Sequence, residues 1–289
     1  MGMPSALRAG SRLLTNRSTA LVRHAVRLVI ALLLVTRTVS AQMPDTMSRG
    51  DKTFLTRRDL VTTGVVLGAT ALLSVWDPDI AQASRESRYQ DSSVINFANR
   101  ASKVNETTLT VGGILIYGIG RLTKSQTVAD VALHATESVV LASVASQLIR
   151  GPLGRTRPWV TGDTNQYDFD AFHGFREFKN RAFPSIHTSS SMAVATVLTM
   201  ETHRRHPGAT PFVAPVLFAA GILPGLARIQ LNQHWASDIF AGAFMGVFAG
   251  YKVTKYSHDH PRNWFDRKLL QVNVSQAPNG QVMVGFSPF

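Results

Sequence analysis

The chain has 289 residues, of which 45% are hydrophobic, and it has no cysteine, so disulfides, thiolate metal sites and a cysteine nucleophile are excluded. Its formal net charge is +12, but residues 1–58 hold ten Lys or Arg and two Asp and therefore contribute +8 of it. Because the excess charge is concentrated in one segment, without a nucleic-acid motif or a basic stretch with interleaved aromatic residues, we expect no nucleic-acid partner.

The N-terminal 41 residues have the pattern of an export signal. Five arginines precede an apolar run at 28–35, and Val39-Ser40-Ala41 then offers small residues at the cleavage positions. The basic part is unusually long for a signal peptide, so an uncleaved anchor is the alternative. We therefore predict a signal peptide or N-terminal anchor over 1–41 and a polar linker over 42–59.

A second apolar stretch runs over residues 60–76, at the short end of the length that spans a membrane. Arg57 and Arg58 precede it and Asp77 and Asp79 follow it, a polarity that favours a cytoplasmic N-terminus. Two alternatives stay open. The stretch could be a buried helix that does not span, or Thr56-Arg57-Arg58 could begin a twin-arginine signal cleaved after residues 81–83.

The remainder predicts an all-α bundle, with a helical domain over 60–268. Residues 84–106 are polar and irregular, and we predict a short helix with connections there. Helical patterns follow over residues 108–120, 128–150, 188–203, 212–228 and 237–256, and their small residues allow close packing. Asp130, His134 and Glu137 argue against full lipid exposure of the second of these helices. The long loop at 158–184 carries aromatic and polar residues, and loops of this length are usually functional.

The last 21 residues change character. Residues 270–274 and 281–284 alternate between apolar and polar side chains, and Pro278-Asn279-Gly280 lies between them. An Asn-Gly pair between two alternating runs indicates a β-hairpin. We predict a small C-terminal hairpin over 269–289.

Three separated segments collect polar residues that a helical bundle does not need for packing: 150–158, Pro184-Ser185-Ile186-His187, and 228–238. Arg150, Arg157 and Arg228 supply guanidinium groups, which bind tetrahedral oxyanions in bidentate fashion. Ser185 adds a hydroxyl donor, and the helix predicted to follow begins with backbone N–H groups that favour an anion. Taken singly, these features also fit helix ends and an N-cap.

Two histidines and a carboxylate complete the set. His234 and Asp238 are four residues apart and share a face if the last helix includes them, although such a pair is also common on protein surfaces. A carboxylate on one imidazole nitrogen fixes the tautomer and leaves the other nitrogen free to attack. His187 can then act as general acid. This chemistry requires no metal, because the arginines neutralise the developing charge.

The order and spacing of these residues resemble the signature of the type 2 phosphatidic acid phosphatase and vanadium haloperoxidase superfamily. That signature reads Lys-x6-Arg-Pro, Pro-Ser-Gly-His and Ser-Arg-x5-His-x3-Asp. Here Arg150 and Arg157-Pro158 stand at the first spacing, Pro184-Ser185-Ile186-His187 at the second, and Ala227-Arg228, His234 and Asp238 at the third.

The resemblance implies a helical bundle and a phosphatase that acts through a phosphohistidine. It makes His234 the nucleophile, Asp238 the residue that orients it, and His187 the acid that protonates the leaving oxygen. It assigns the phosphoryl oxygens to Arg150, Arg157, Ser185 and Arg228 and to the amide of residue 186. The implied substrate is a phosphorylated lipid or a small phosphate ester, and the implied place is a bacterial envelope membrane with the site facing the periplasm.

Three positions depart from the signature: Arg150 replaces Lys, Ala227 replaces Ser, and Ile186 replaces Gly. A β-branched residue tolerates a positive φ poorly, so Ile186 predicts strain if the loop needs that conformation. Two alternatives therefore stay open. One is a haloperoxidase-like enzyme with vanadate as cofactor rather than as an inhibitor. The other is a catalytically weakened envelope protein of the same fold.

Overall fold

The computed structural model describes residues 54–260, 263, 272–276 and 282–286. The predicted signal peptide or anchor over 1–41 and most of the predicted linker lie outside the described residues. Within them the chain is almost entirely helical apart from one long loop and two short strands.

Eight α-helices occur in the described part of the chain. They are α1 Arg57–Ser74, α2 Asp77–Ser84, α3 Ser92–Ala101, α4 Glu106–Leu122, α5 Gln126–Leu153, α6 Ile186–Arg205, α7 Thr210–Gln230 and α8 Ala236–Asp259. The last five coincide with the five predicted helices and extend each of them by one to three residues at either end. Caps explain part of the difference, since the side chains of Asn105 and Ser125 accept from backbone N–H groups in the first turns of α4 and α5.

Helix α1 begins three residues before the predicted apolar stretch. Thr56 and Asp59 form a reciprocal capping box, in which the Thr56 N–H donates to Asp59 Oδ2 at 2.7 Å. The helix is not buried, because Leu60, Val61 and Leu72 are each 68% exposed. The expectation of a buried helix at 60–76 is therefore wrong, whereas spanning by this segment stays a prediction.

Within the described residues, two segments are long and apolar enough to cross a membrane, Gln126–Leu153 and Pro207–Gln230, and the bent pair α1 and α2 makes a third if it is one span. The bend between α1 and α2 is 56°. Large apolar side chains are exposed on α4 and α7, where water would penalise them. These helices make the chain a membrane protein.

Helices α6 and α8 lie in closest contact along a row of glycines on α8. A Cβ at Gly246 would lie 2.2 Å from the Ser189 carbonyl oxygen, and one at Gly242 would lie 2.5 Å from that of Ser185. Small residues four apart let two helix backbones approach closely, which is a common packing mode in membranes. This contact aligns the N-terminal ends of α6 and α8.

The loop after α5 is ordered by the end of that helix. Gly154 caps α5 with a φ of +65°, and a Cβ there would lie 1.7 Å from the Asp170 carbonyl oxygen. Three short 3₁₀ turns follow, Pro158–Val160, His173–Phe175 and Phe178–Asn180. The loop predicted at 158–184 thus folds back over the helix end.

Strands β1 (Val272–Gln276) and β2 (Val282–Phe286) pair antiparallel, with Val274 opposite Val284. Their connection, including the predicted Asn279-Gly280 turn, lies outside the described residues. The hairpin over 269–289 as a unit therefore stays a prediction.

Candidate active site

The sequence-predicted site residues lie at one end of the bundle. Arg150 and Arg228 are near the C-terminal ends of α5 and α7, whereas His187 and Asp238 are in the first turns of α6 and α8. Successive antiparallel helices bring these ends together. The two spans that carry Arg150 and Arg228 end here, so the site lies at the level of a membrane surface.

The three arginines are linked through shared acceptors. The carbonyl oxygen of Arg181 accepts from Arg150 Nη2 at 2.5 Å and from Arg157 Nη2 at 3.3 Å. Gln233 Oε1 accepts from Arg157 Nη1 at 3.0 Å and from Arg228 Nη2 at 3.3 Å. Three guanidinium groups thus converge, and no carboxylate of the described residues is hydrogen-bonded directly to any of them, an arrangement that favours an anion.

Four buried nitrogen atoms in this cluster have no hydrogen-bond partner within the described residues: Arg150 Nε, Arg228 Nε, His187 Nδ1 and His234 Nε2. Buried polar atoms are normally paired, so each such atom needs an explanation. A tetrahedral oxyanion can accept hydrogen bonds from arginine nitrogens of this kind. The unpaired set therefore matches the charge and the hydrogen-bonding of a phosphoryl group.

His234 and Asp238 are in contact, but not through a shared helix face as predicted. His234 lies two residues before α8, and Asp238 is the third residue of that helix. The Asp238 carboxylate folds back, so that Oδ2 accepts from the Trp235 N–H at 2.8 Å and lies 3.4 Å from His234 Nδ1. This places the proton on Nδ1 and leaves the Nε2 lone pair free.

The sequence reasoning missed the residues that hold Asp238. Arg155 Nη1 donates to Asp238 Oδ1 at 2.6 Å, and Arg155 Nη2 donates to Asp77 Oδ2 at 2.8 Å. Asp77 also accepts from the Ser237 N–H at 2.9 Å. Asp77 looked like a charge flanking a membrane span, and only the fold shows that α2 packs against the start of α8. Cleavage after residues 81–83 would remove Asp77, which argues against the twin-arginine alternative.

The protonation states of the site follow from burial and from the arginines. Burial, and then the charges of Arg228, Arg150 and Arg157, lower the pKa of His187 to about 3. Burial and the same charges hold the pKa of His234 well below its usual range. Both imidazoles are therefore neutral at pH 7, as a nucleophile requires.

Burial also shifts the pKa values of the charged residues Asp238 and Arg157. Burial raises the pKa of Asp238 to about 6 despite its ion pair with Arg155, so the carboxylate is mostly ionised at pH 7. Burial and the neighbouring Arg228 and Arg150 lower the pKa of Arg157 to about 9. The guanidinium stays charged at neutral pH, and the mutual repulsion of the arginines is relieved by a bound anion.

Ser185 and Ile186 lie at the start of α6. The Ser185 N–H donates to the Asp238 carbonyl at 3.1 Å, and its Oγ accepts from Thr188 Oγ1 at 3.0 Å, which leaves its own hydroxyl proton to donate. Ile186 is the first residue of the helix and is 3% exposed. The positive-φ residues of the described chain that are not glycine lie elsewhere, at Lys124, Asp163, Phe172 and Asn232. The strain predicted at Ile186 is therefore wrong.

Glu106, the first residue of α4, is a further acidic group near the site that the sequence did not indicate. Its charge interacts with Arg150 and Arg228, and its Oε2 atom is buried without a partner within the described residues. The sequence places it more than forty residues before the first motif, so only the antiparallel packing of α4 on α5 brings it close.

Residues 131–262 match the sequence profile of the PAP2 superfamily. This region of the chain is therefore similar to a PAP2 domain. This confirms the family resemblance that the three motifs carry, and the matched region contains every site residue predicted from them.

Curated relatives of the chain include two bacterial proteins named lipid A 1-phosphatase. The protein from Porphyromonas gingivalis is 33% identical over 69 residues, which are 24% of this chain and 15% of that protein. The protein from Rhizobium etli is 26% identical over 123 residues, which are 42% of this chain and 49% of that protein. The chain spans less than half the length of the curated relatives it matches.

Among solved structures, the chain is similar to a transmembrane PAP2 type phosphatidylglycerolphosphate phosphatase from Bacillus subtilis. The similarity covers 82% of this chain and 98% of that chain, with a TM-score of 0.45 and 16% sequence identity.

Proposed function

We propose that this protein is a membrane phosphatase that removes a phosphate or pyrophosphate group from a lipid through a phosphohistidine at His234. One observation carries the proposal. His234 Nε2 is buried without a partner among the described residues, the charges of Arg157, Arg228 and Arg150 act on its ring, and Asp238 occupies the opposite side of the imidazole. A neutral imidazole whose Nδ1 contacts a carboxylate has the lone pair of Nε2 available for attack on a bound anion.

In the first step, His234 Nε2 forms a bond to phosphorus and the bond from phosphorus to the leaving oxygen breaks. The proton of the leaving oxygen comes from His187, the other imidazole at the anion site. Arg150, Arg157 and Arg228 stabilise the charge that spreads over the equatorial oxygens. Asp238 stabilises the positive charge that develops on the His234 ring.

In the second step, water attacks phosphorus and the bond to His234 Nε2 breaks. His187, now neutral, takes the proton from that water, as microscopic reversibility requires of the acid of the first step. Phosphate then takes the proton from His187 and leaves as the monoanion, so that both imidazoles are neutral again. His187 is neutral in the free protein, so it must gain the proton that it gives to the leaving oxygen. A monoanionic substrate brings this proton, or His187 takes it from water once the bound phosphate neutralises the charges of the arginines.

A lipid substrate fits the position of the site. A phosphorylated lipid carries its phosphate at the membrane surface, and the site lies where the spans α5 and α7 end. The names of the curated relatives make a lipid A 1-phosphate the first substrate to test. The chain covers only part of those relatives, so the proposal commits to a lipid phosphate and leaves the head group to the assay.

We also propose that the site faces the extracytoplasmic side. Arg57 and Arg58 open α1 and favour a cytoplasmic N-terminus for that helix. Asp77 lies beyond its other end and contacts Arg155 and Ser237 at the site. The site is therefore at the end of the bundle opposite to the two arginines.

Vanadate is proposed as an inhibitor of this site. It adopts the trigonal-bipyramidal geometry of the phosphoryl transition state, so a pocket complementary to that state binds it more tightly than phosphate. A cofactor role in halide oxidation remains the rival proposal. Vanadate-dependent halide oxidation by the purified protein would favour the rival, and competitive inhibition of phosphate release would favour the phosphatase.

The test is phosphate release by the purified protein in detergent micelles. Phosphorylated lipids, including lipid A 1-phosphate, are compared with a soluble aryl phosphate, and His234→Asn serves as the matched variant. We expect release by the wild type and a loss of at least a thousandfold in His234→Asn. No release from any of these substrates, or equal release by both proteins, would contradict the proposal.

A further inference from the structure

A second cluster of titratable side chains lies far from the anion site. His134 on α5, Glu201 on α6 and His258 on α8 each direct one nitrogen or oxygen atom into a common space, and these atoms lie within 4.8 Å of one another. His134 and Glu201 are each 3% exposed, whereas the His258 side chain is 20% exposed. The three residues come from three different helices.

The phosphatase chemistry does not use this cluster. Glu201 lies fourteen residues after His187 on α6, which is about 21 Å along a helix at 1.5 Å per residue. The cluster therefore lies near the opposite end of the bundle. Two histidines and a carboxylate at such depth need a reason other than contact with substrate.

The donor set is that of a zinc site. Two imidazoles and one carboxylate are a common set of three protein ligands, and tetrahedral coordination at about 2.1 Å separates ligand atoms by about 3.4 Å. His134 Nδ1 lies 3.4 Å from Glu201 Oε1, which already matches that spacing. His258 Nε2 lies 2.6 Å from the same oxygen, a hydrogen-bond distance. An ion would require His258, the most exposed of the three, to move outward by less than 1 Å.

The charges around the cluster are suited to a cation. Burial opposes ionisation of Glu201, but its bonds to His134 and His258 and the charge of Arg205 hold the pKa of its carboxyl well below its usual range. Arg205 occupies Oε2, so Oε1 remains directed at both imidazoles. Asp130, one helical turn before His134, lies within electrostatic range of all three residues.

We propose that His134, Glu201 and His258 bind a divalent transition-metal ion, with zinc as the best match, and that the ion joins α5, α6 and α8 at the end of the bundle remote from the phosphatase site. A ligand that binds only the folded state stabilises it by mass action. The role is structural, and phosphoryl transfer takes no step through the metal.

The experiment uses the full-length protein in detergent, stripped with a chelator and titrated with Zn²⁺. We expect one zinc per chain by elemental analysis after buffer exchange at micromolar free Zn²⁺, and a rise of several degrees in the melting temperature. Co²⁺ in place of Zn²⁺ is expected to give visible bands of tetrahedral coordination, a signature that a hydrogen-bonded triad does not produce.

Variants assign the ion to this cluster. Glu201→Gln and His258→Asn should each weaken Zn²⁺ binding by at least a hundredfold and abolish the melting shift. His203→Asn, an exposed histidine near the end of the same helix, and His234→Asn at the anion site should retain one zinc. A built zinc site is expected to be occupied at about 10 µM free Zn²⁺, so a wild-type protein without zinc at that concentration would overturn the proposal. Loss of zinc in His234→Asn together with its retention in Glu201→Gln would also overturn it. Since zinc content and melting are read without an activity assay, neither result depends on the phosphatase function.

Discussion

Asp238 is fully buried, and the ion pair with Arg155 is what allows it to remain a carboxylate next to His234. Arg155 binds Asp238 and Asp77 at once through separate nitrogens, a geometry that a planar guanidinium permits and a lysine ammonium does not. Arg155 is therefore a positioning residue, which acts on the reaction through Asp238.

Arg155→Lys should lower kcat by about tenfold or more while KM changes little, because the nucleophile is misoriented but the phosphate ligands remain. The loss of one ion pair should also raise the pKa of Asp238 further above its ordinary value, so the acidic limb of the rate profile moves to higher pH. Arg176→Lys, an exposed substitution on the same loop, is the control. An unchanged acidic limb in Arg155→Lys would show that Arg155 serves packing alone.

The pH dependence of the wild type follows from the low pKa of His187. Because the free protein has this imidazole neutral, the productive complex needs a substrate that still carries one proton, and phosphate monoesters lose it with a second pKa of about 6. kcat/KM should therefore fall on the alkaline side with the pKa of the substrate, and on the acidic side as Asp238 is protonated near pH 6.

The measurement is kcat/KM from pH 4 to 9 for two phosphate esters whose second pKa values differ. The alkaline limb should shift with the ester. A limb that stays near 6.5 for both esters would instead report an ordinary histidine and would contradict the assigned protonation state.

The sequence predicts the candidate site residues by spacing, because fixed intervals such as those from Arg228 to His234 to Asp238 can be recognised without knowledge of the fold. It did not identify Arg155, Gln233, Asp77 or Glu106. Arg155 and Gln233 lie at unspecified positions inside the motifs, so the spacing does not distinguish them from residues without a role. Asp77 and Glu106 reach the site only through the packing of α2 and α4.

At the scale of elements, the close contact between α6 and α8 sets the distance between His187 and Asp238. The helices themselves were predictable, because long apolar patterns and helix starts are visible in the sequence. The bend between α1 and α2 was not, since the stretch through Trp76 is apolar throughout and only the position of Asp77 at the site shows where the chain turns.

Gly246→Ala should destabilise this contact. The new Cβ would lie 2.2 Å from the Ser189 carbonyl oxygen and 2.8 Å from Met192 Cβ, so α6 and α8 must separate, at a cost of about 1–3 kcal/mol or more. Gly64→Ala on α1 is the matched control, because no atom lies within 4 Å of its Cβ position. Thermal unfolding in detergent is expected to show a lower melting temperature for Gly246→Ala alone. Equal melting of the two variants would contradict the tight packing.

At the scale of the whole molecule, the chain offers a direct test of orientation because it has no cysteine. Thr164→Cys places a thiol on the exposed loop at the site end, and Gly208→Cys places one between α6 and α7 at the opposite end, where a Cβ meets no atom within 4 Å. The experiment uses intact cells from which any outer membrane or wall has been removed. A membrane-impermeant maleimide should label Thr164→Cys in these cells and should label Gly208→Cys only after lysis. The reverse pattern would place the phosphatase site in the cytoplasm.

The most direct test of the account is isolation of the phosphohistidine. The His187→Ala variant is mixed with an aryl phosphate, whose leaving group needs no acid, and is quenched in alkali, where a phosphoramidate survives. Because the second step lacks its base, peptide mass spectrometry should find close to one phosphoryl group per chain on His234, and none in His187→Ala/His234→Asn. A phosphoryl group on any other residue, or steady phosphate release with no adduct on His234, would contradict the central claim.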